Sequence, residues 1–204
     1  TCFGPERNLF EDGPDHAKRM EVTSPVLSTD KFAVLTSQTD PDFKTAYFDL
    51  TFEGVSLKAA LEKLQADVLA SVNAGTVIIV LSDKNIAKGR MPIPALFAVG
   101  AVHHGLINAG LRCRTNIIVE TATTRDPHHF ACLIGYGATA VVPYLAYQTI
   151  KELVDMGQID ATLEKAANNF RKGINKGLMK ILSKMGISTI ASYRGSQLFE
   201  GVGI

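Results

Sequence analysis

Three largely apolar runs limit what this chain can fold into. Val77-Ile78-Ile79-Val80 lies between Gly75 and Ser82-Asp83, Ile117-Ile118-Val119 leads into Glu120, and Ala138-Thr139-Ala140-Val141-Val142 leads into Pro143. A strand without polar alternation has no face to give to water. It must be covered on both sides, as in a parallel sheet between other layers. Helical patterns fill the gaps. Ser56 precedes Leu57, Leu61, Leu64, Val68 and Val72 at the helical period, and Gly75 closes that helix. Pro94 suits the first turn of a helix with Leu96, Val99, His103 and Leu106 on one face, ending at Gly110. Asp126-Pro127 starts another, through Phe130, Leu133 and Ile134. Aromatic-rich Ala46 to Phe52 reads as a first strand and Ile187 to Ala191 as a fifth.

Strands and helices therefore alternate at intervals of about 25 to 40 residues, which predicts an α/β fold. The expectation is a parallel sheet of about five strands, near 45–51, 76–81, 115–120, 138–142 and 187–191. It is joined by crossover helices and is either open or curved as part of a TIM-barrel-like arrangement. Helices are also predicted over Leu145 to Met156 and Asp160 to Met185, the latter broken near Gly173 or Gly177, with one more starting at Gln197-Leu198-Phe199. Residues 43–204 form this α/β domain. Residues 1–42 read as an irregular N-terminal arm punctuated by Pro5, Pro14, Pro25 and Pro41, with a short helix capped by Thr29-Asp30 and running through Phe32, Val34 and Leu35. Such an arm needs something to pack on.

With 21 Lys+Arg against 20 Asp+Glu, the formal charge of +1 gives no broad electrostatic footprint for nucleic acid or an anionic membrane. No apolar run approaches the ~18 residues of a membrane span, and the amino end lacks the pattern of a signal peptide. Cys2, Cys113 and Cys132 are few, odd in number and widely spaced, which fits a reducing cytoplasm better than a disulfide framework. The chain starts at Thr1 rather than Met, as a piece of something longer would.

In parallel α/β folds, ligands gather beyond the carboxyl ends of the strands. Asp49, Asp83, Glu120, Tyr144 and Arg194 occupy such positions in the predicted order, and Asp83 with Glu120 would form a carboxylate pair. Capping and loop anchoring are the ordinary roles of such residues, so a free-standing small α/β enzyme using these carboxylates is the alternative reading. The doublets His103-His104 and His128-His129 cannot chelate one metal, since neighbours on a helix point about 100° apart. His103 reads as a packed, hydrogen-bonded histidine, and His128 and His129 as parts of a capped first turn. Cys132 follows His129 by three residues, a spacing that could bring them together on a helix turn, but buried packing is the preferred reading of this cysteine. Neither nucleotide fingerprint is present: Gly135-Tyr136-Gly137 precedes a strand, and no phosphate loop occurs. Lys172, Lys176, Lys180 and Lys184 recur every four residues opposite Ile174, Leu178, Ile181, Leu182 and Met185. That is an amphipathic helix with a basic face, either simply solvated or a contact for an acidic partner domain. Gly173 and Gly177 on the same helix would allow a close neighbour.

Lys176 to Thr189, followed by Ser192-Tyr193-Arg194-Gly195-Ser196-Gln197-Leu198-Phe199-Glu200, resembles the large subunit of glutamate synthase. So do Leu81-Ser82-Asp83, Pro92-Ile93-Pro94 with Val102-His103-His104, Val119-Glu120-Thr121, the stretch from His128 to Tyr144, Gly4 to Leu9, and Ser24 to Leu27. The resemblance covers nearly the whole chain. It implies a parent enzyme in which an amidotransferase domain frees ammonia from glutamine. The ammonia passes inside the protein to an FMN domain, where 2-oxoglutarate is converted to glutamate. This segment resembles neither catalytic part. The resemblance makes it much of the central domain, connecting the amidotransferase and FMN domains of the same chain and helping to shape the ammonia passage. No catalytic, cofactor or metal residues are expected within it. FMN and an iron–sulfur cluster would lie elsewhere in the parent, Cys2 would not be the family nucleophile, and a plant-type parent would reside in the plastid.

Overall fold

The computed structural model describes residues 1–203. In chain order the elements are β1 (Cys2–Phe3), β2 (Met20–Glu21), α1 (Thr29–Thr36), β3 (Thr45–Asp49), β4 (Thr51–Phe52), α2 (Leu57–Asn73), β5 (Ile78–Ser82) and β6 (Met91–Pro92). They continue with α3 (Ala95–Asn108), β7 (Asn116–Glu120), α4 (Pro127–Gly135), β8 (Ala140–Val142), α5 (Tyr144–Asp155), α6 (Leu163–Lys184) and α7 (Ile190–Tyr193). The α/β expectation holds. β3, β5, β7 and β8 form a parallel sheet in that order, and β1–β2 and β4–β6 are small antiparallel ribbons. Among the described residues the sheet does not close into a barrel.

Both faces of the sheet are buried along β5, β7 and β8, as the apolar runs require, whereas the edge strand β3 is only half-buried. Ile79, Leu81, Ile117, Val119 and Val141 point to one side, against α2, α3, α4 and α6 through Leu64, Val68, Val99, Val102, Phe130 and Leu178. The alternate residues Ile78, Val80, Ile118, Ala140 and Val142 point to the other side, where Phe3, Leu27, Phe32, Leu35 and Phe43 cover them. Residues of the N-terminal arm thus supply a second core rather than a tail. The arm also reaches the sheet's edge: Val26 makes a parallel bridge to Val141, with Val141 N donating to Pro25 O at 2.8 Å and Leu27 N to Val141 O at 3.0 Å.

The expected fifth strand is absent among the described residues. The segment 187–191 is not a strand. Gly186 turns the chain at a φ of 70°, and the Thr189 hydroxyl then accepts from Ser192 N, capping the short helix α7. Local side-chain-to-backbone bonding has outcompeted the strand pattern. No helix starts at Gln197 either. Gln197 has a φ of 57°, and Phe199 folds back to pack edge-on to Tyr193 and His128. Ser28, one residue before the expected cap, caps α1 by accepting from Lys31 N.

α6 runs unbroken for 22 residues through Gly173 and Gly177. A Cβ at Gly177 would collide with the Pro127 ring at the start of α4, so this glycine serves internal packing; Gly173 faces open space. Ile174, Leu178 and Leu182 are buried beneath α6, whereas Lys172, Lys176, Lys180 and Lys184 are exposed.

If the arm is part of the core, Leu27→Ala should cost about 2–5 kcal/mol in urea unfolding, the range for truncating a fully buried leucine. A loss under about 0.5 kcal/mol, the scale of a surface substitution, would show the arm to be peripheral.

Candidate functional site

The strand register aligns Asp49 with Ser82, Ser82 with Glu120, and Glu120 with Val142. These are the last residues of the four strands, so the carboxyl edge collects Asp49, Asp83, Glu120 and Tyr144. Asp83 is 2% exposed and Glu120 7%. Their bonds are reciprocal. Thr121, just after Glu120, donates its hydroxyl to Asp83 Oδ2 at 2.5 Å, and Ser82, just before Asp83, donates its hydroxyl to Glu120 Oε2 at 2.6 Å. Asp83 also accepts from Ala122 N at 3.0 Å, and its own N–H donates to Glu120 O at 3.1 Å. The two carboxylates clasp the loop after β5 to the loop after β7.

Around the clasp, Lys84 Nζ lies 3.7 Å from Glu120 Oε1 and 6.0 Å from the centre of the Tyr144 ring. Burial, then the Asp83 carboxylate, then Glu120 push the Tyr144 phenol well above its ordinary pKa, so it remains a donor rather than becoming a base. Asp49, farther along the edge, accepts from the Thr51 N–H and hydroxyl, from Asn85 and from Arg90 Nη2 at 2.8 Å. Burial works to raise its pKa, but these bonds and the Arg90 charge overcome burial and hold it below the usual range. A groove of about 800 Å³ adjoins the cluster, lined by Lys84, Tyr144, Tyr147, Gln148, Asn168 and Arg171 among others. Chemically, the edge offers donors and paired charges. Both oxygens of Asp83 are engaged, so it presents no free base.

Arg194 does not join this edge. It sits at the amino end of the sheet, where its Nη1 donates to Thr139 Oγ1 at 3.3 Å, just before β8 begins. Nearby, Arg112 donates to His103 Nδ1 at 2.9 Å, to Thr115 O at 2.8 Å and to Gly137 O at 2.8 Å, pinning α3 to the entries of β7 and β8. His103 is thus packed and hydrogen-bonded, as its apolar neighbours predicted, but half-buried at the edge of the core rather than inside it. Burial, with the charges of Arg112, His104 and Arg194, lowers its pKa to about 4. Arg112 escaped the sequence reading because it lies in a short turn with no periodicity. Lys84, Asn85 and Arg90 escaped it because loop residues show their partners only in three dimensions.

Asp126 accepts from the backbone N–H of His128 and His129, as a capped first turn requires. Cys132 faces His128, with Sγ 3.5 Å from Nε2, rather than His129. A spacing of four residues, not three, brings the two together here. Burial and then Asp126 raise the Cys132 thiol, so it is not activated. No group of three or more His, Cys, Asp or Glu among the described residues is placed to hold a metal ion.

The family model for the glutamate synthase central domain matches residues 1–204. Glutamate synthase [NADPH] large chain of Bacillus subtilis is 42% identical over 204 residues, covering 100% of this chain and 13% of that protein. Glutamate synthase [NADH] of Schizosaccharomyces pombe is 41% identical over 212 residues, covering 100% and 10%. Ferredoxin-dependent glutamate synthase 2 of Synechocystis is 41% identical over 218 residues, covering 99% and 14%. This chain therefore spans only a small part of each relative's length.

Two outcomes test the geometry. Thr121→Val removes the clasp's donor to a buried carboxylate and should destabilise the chain by about 1–3 kcal/mol in urea unfolding; an unchanged midpoint would show the bond to be dispensable. His103 has a folded pKa of about 4 against an ordinary 6.5, so the unfolded chain binds the extra proton first. Stability should be full above 6.5 and fall as the pH drops toward 4. His103→Asn should flatten that fall between pH 6.5 and about 5.5, above the range where ordinary carboxylates titrate appreciably. An identical slope in wild type and variant would assign the fall to other groups.

Proposed function

Because the chain belongs to the glutamate synthase central domain family, we propose that it connects an amidotransferase domain and an FMN domain within one glutamate synthase polypeptide. The parent then makes glutamate from glutamine-derived ammonia and 2-oxoglutarate with reduction at FMN, in the service of nitrogen assimilation. This segment helps to shape the passage for ammonia. What carries the reading is a family match along the entire chain, in a segment that is 10% to 14% of its relatives. The carboxyl-edge clasp supports it: acids bonded to neighbouring loops make a stiff frame, which a domain between two reaction centres needs.

The iron–sulfur cluster of the parent is placed outside this segment. Cys2 and Cys113 are exposed, Cys132 is on α4, and these donors do not fit a cluster. We place FMN outside it as well. The parent is assigned to the cytoplasm, or to the plastid if of plant type. Among the described residues no helix is long and apolar enough to cross a membrane.

The proposed contact with a neighbouring domain uses the exposed face of α6. Lys172, Lys176, Lys180 and Lys184 form no ion pair among the described residues, although other surface lysines such as Lys63 and Lys151 do. An acidic surface of the adjoining domain would complement that stripe, tuning the contact rather than driving it, since exposed pairs contribute only about 0–1 kcal/mol each. Lys176→Glu with Lys180→Glu should shift the stability of the 204-residue chain by less than about 0.5 kcal/mol. In the parent, glutamine-dependent glutamate synthesis should fall more than ammonia-dependent synthesis. Equal loss of both activities, or collapse of the chain, would sink the interface.

A further inference from the structure

The amino end of the sheet holds an electrostatic anomaly that the connecting role does not use. Arg19, Arg112 and Arg194 gather there, and none makes an ion pair among the described residues, although other arginines, Arg7 and Arg90, do. Arg112 spends its donors on neutral acceptors, the His103 ring and two carbonyls. Arg19 donates to Gly4 O at 3.1 Å. Arg194 has a single long bond to the Thr139 hydroxyl, which already accepts from Ile117 N at 3.1 Å. A half-buried guanidinium with most of its five donors unspent is open to an anion that would pair with it.

A cavity of about 600 Å³ opens beside these groups, lined by Arg194, Arg19, Asn116, Thr139, Glu6 and Glu21 among others. That volume is in the range of small-ligand sites. Asn116 is buried, and its side-chain oxygen accepts from Gly4 N at 2.8 Å, while its NH₂ makes no hydrogen bond among the described residues. The Thr139 hydroxyl proton is likewise unspent. The wall therefore offers a planar fork, an amide N–H and a hydroxyl, which is the donor set that recognises a planar two-oxygen anion. Glu6 and Glu21 are exposed residues of this wall; among the described residues neither comes within ion-pair distance of an arginine, although the Glu6 charge acts on both Arg194 and Arg112 from farther off.

We propose that this cavity binds a carboxylate group, with Arg194 as its principal partner and Arg19 as the second cation. The carboxylate belongs either to a small organic acid or to an acidic side chain from elsewhere in the longer polypeptide. In both cases it supplies the direct ion-pair partner that the arginine cluster lacks among the described residues, where Glu6 acts only from a distance.

The test is a thermal-shift titration of the 204-residue chain with sodium glutarate, with ionic strength held constant by sodium chloride. Glutarate should raise the melting temperature saturably while chloride does not. Arg194→Met should weaken the apparent affinity by about thirtyfold or more, as truncating one member of a desolvated charge pair does. Arg194→Lys should weaken it less. Arg19→Met, which leaves the Thr139 contact in place, gives an independent reading should Arg194→Met disturb packing, and circular dichroism checks that each variant is folded. The same titration on the longer polypeptide separates the sources. A response there as well indicates a small acid, whereas a response confined to the 204-residue chain indicates that the polypeptide's own acidic side chain already fills the site. No saturable shift with glutarate, an equal shift with phosphate, or unchanged affinity in both arginine variants would overturn the proposal.

Discussion

Burial of one parallel sheet from both sides is the constraint on which the other features depend. Ile78 and Ile79 are adjacent and fully buried, yet they belong to different cores. Side chains alternate across a strand, so every residue of β5 needs cover, and two separate layers must provide it. Helices α2, α3, α4 and α6 provide one. The other comes from an arm whose own helix, α1, is only eight residues long. The arm is held because Phe3, Leu27, Phe32 and Leu35 have nowhere else to go, and the sheet face would be left open to water without them.

A sheet covered in this way has its ends free for polar work, and the two ends do different things. At the carboxyl end, opposite charges and hydroxyls are matched, and Asp83 and Glu120 spend their lone pairs on neighbouring loops. At the amino end, positive groups accumulate and their hydrogen bonds go to neutral acceptors, with Glu6 acting on them only from a distance. The contrast follows from which residues the strands start and stop on. β7 ends on Glu120, whereas the turn before it carries Arg112 and Arg114.

Much of this was legible in the sequence wherever a run was long or a cap was strong. β5, β7 and β8 lie where their apolar runs lie, while the aromatic-rich stretch expected as one strand breaks at Leu50 into β3 and β4; Ser56, Gly75 and Asp126 bound their helices as expected. The edge positions of Asp49, Asp83, Glu120 and Tyr144 followed from strand order alone. The segment 187–191 misled because Ile187 and Ile190 carry a strand-like composition, whereas the Thr189 hydroxyl bonds to backbone three residues on. Arg194 was placed beyond a strand that does not exist, and so appeared at the wrong end of the sheet. The clasp partners were visible only as neighbours in sequence; their crosswise pairing depends on the register between β5 and β7, which no local pattern specifies.

The bridge from Val26 to Val141 has a consequence for how the molecule meets copies of itself. A parallel sheet ordinarily exposes two rows of unpaired backbone groups, and each is a template for another strand. Here the β8 side is occupied from within the chain, so among the described residues β3 is the outer strand that has no neighbour on its far side in the sheet. A sheet with one open side can add a single strand and then has no second side to offer. Edge pairing between two copies would be self-limiting, a twofold pair rather than a growing stack.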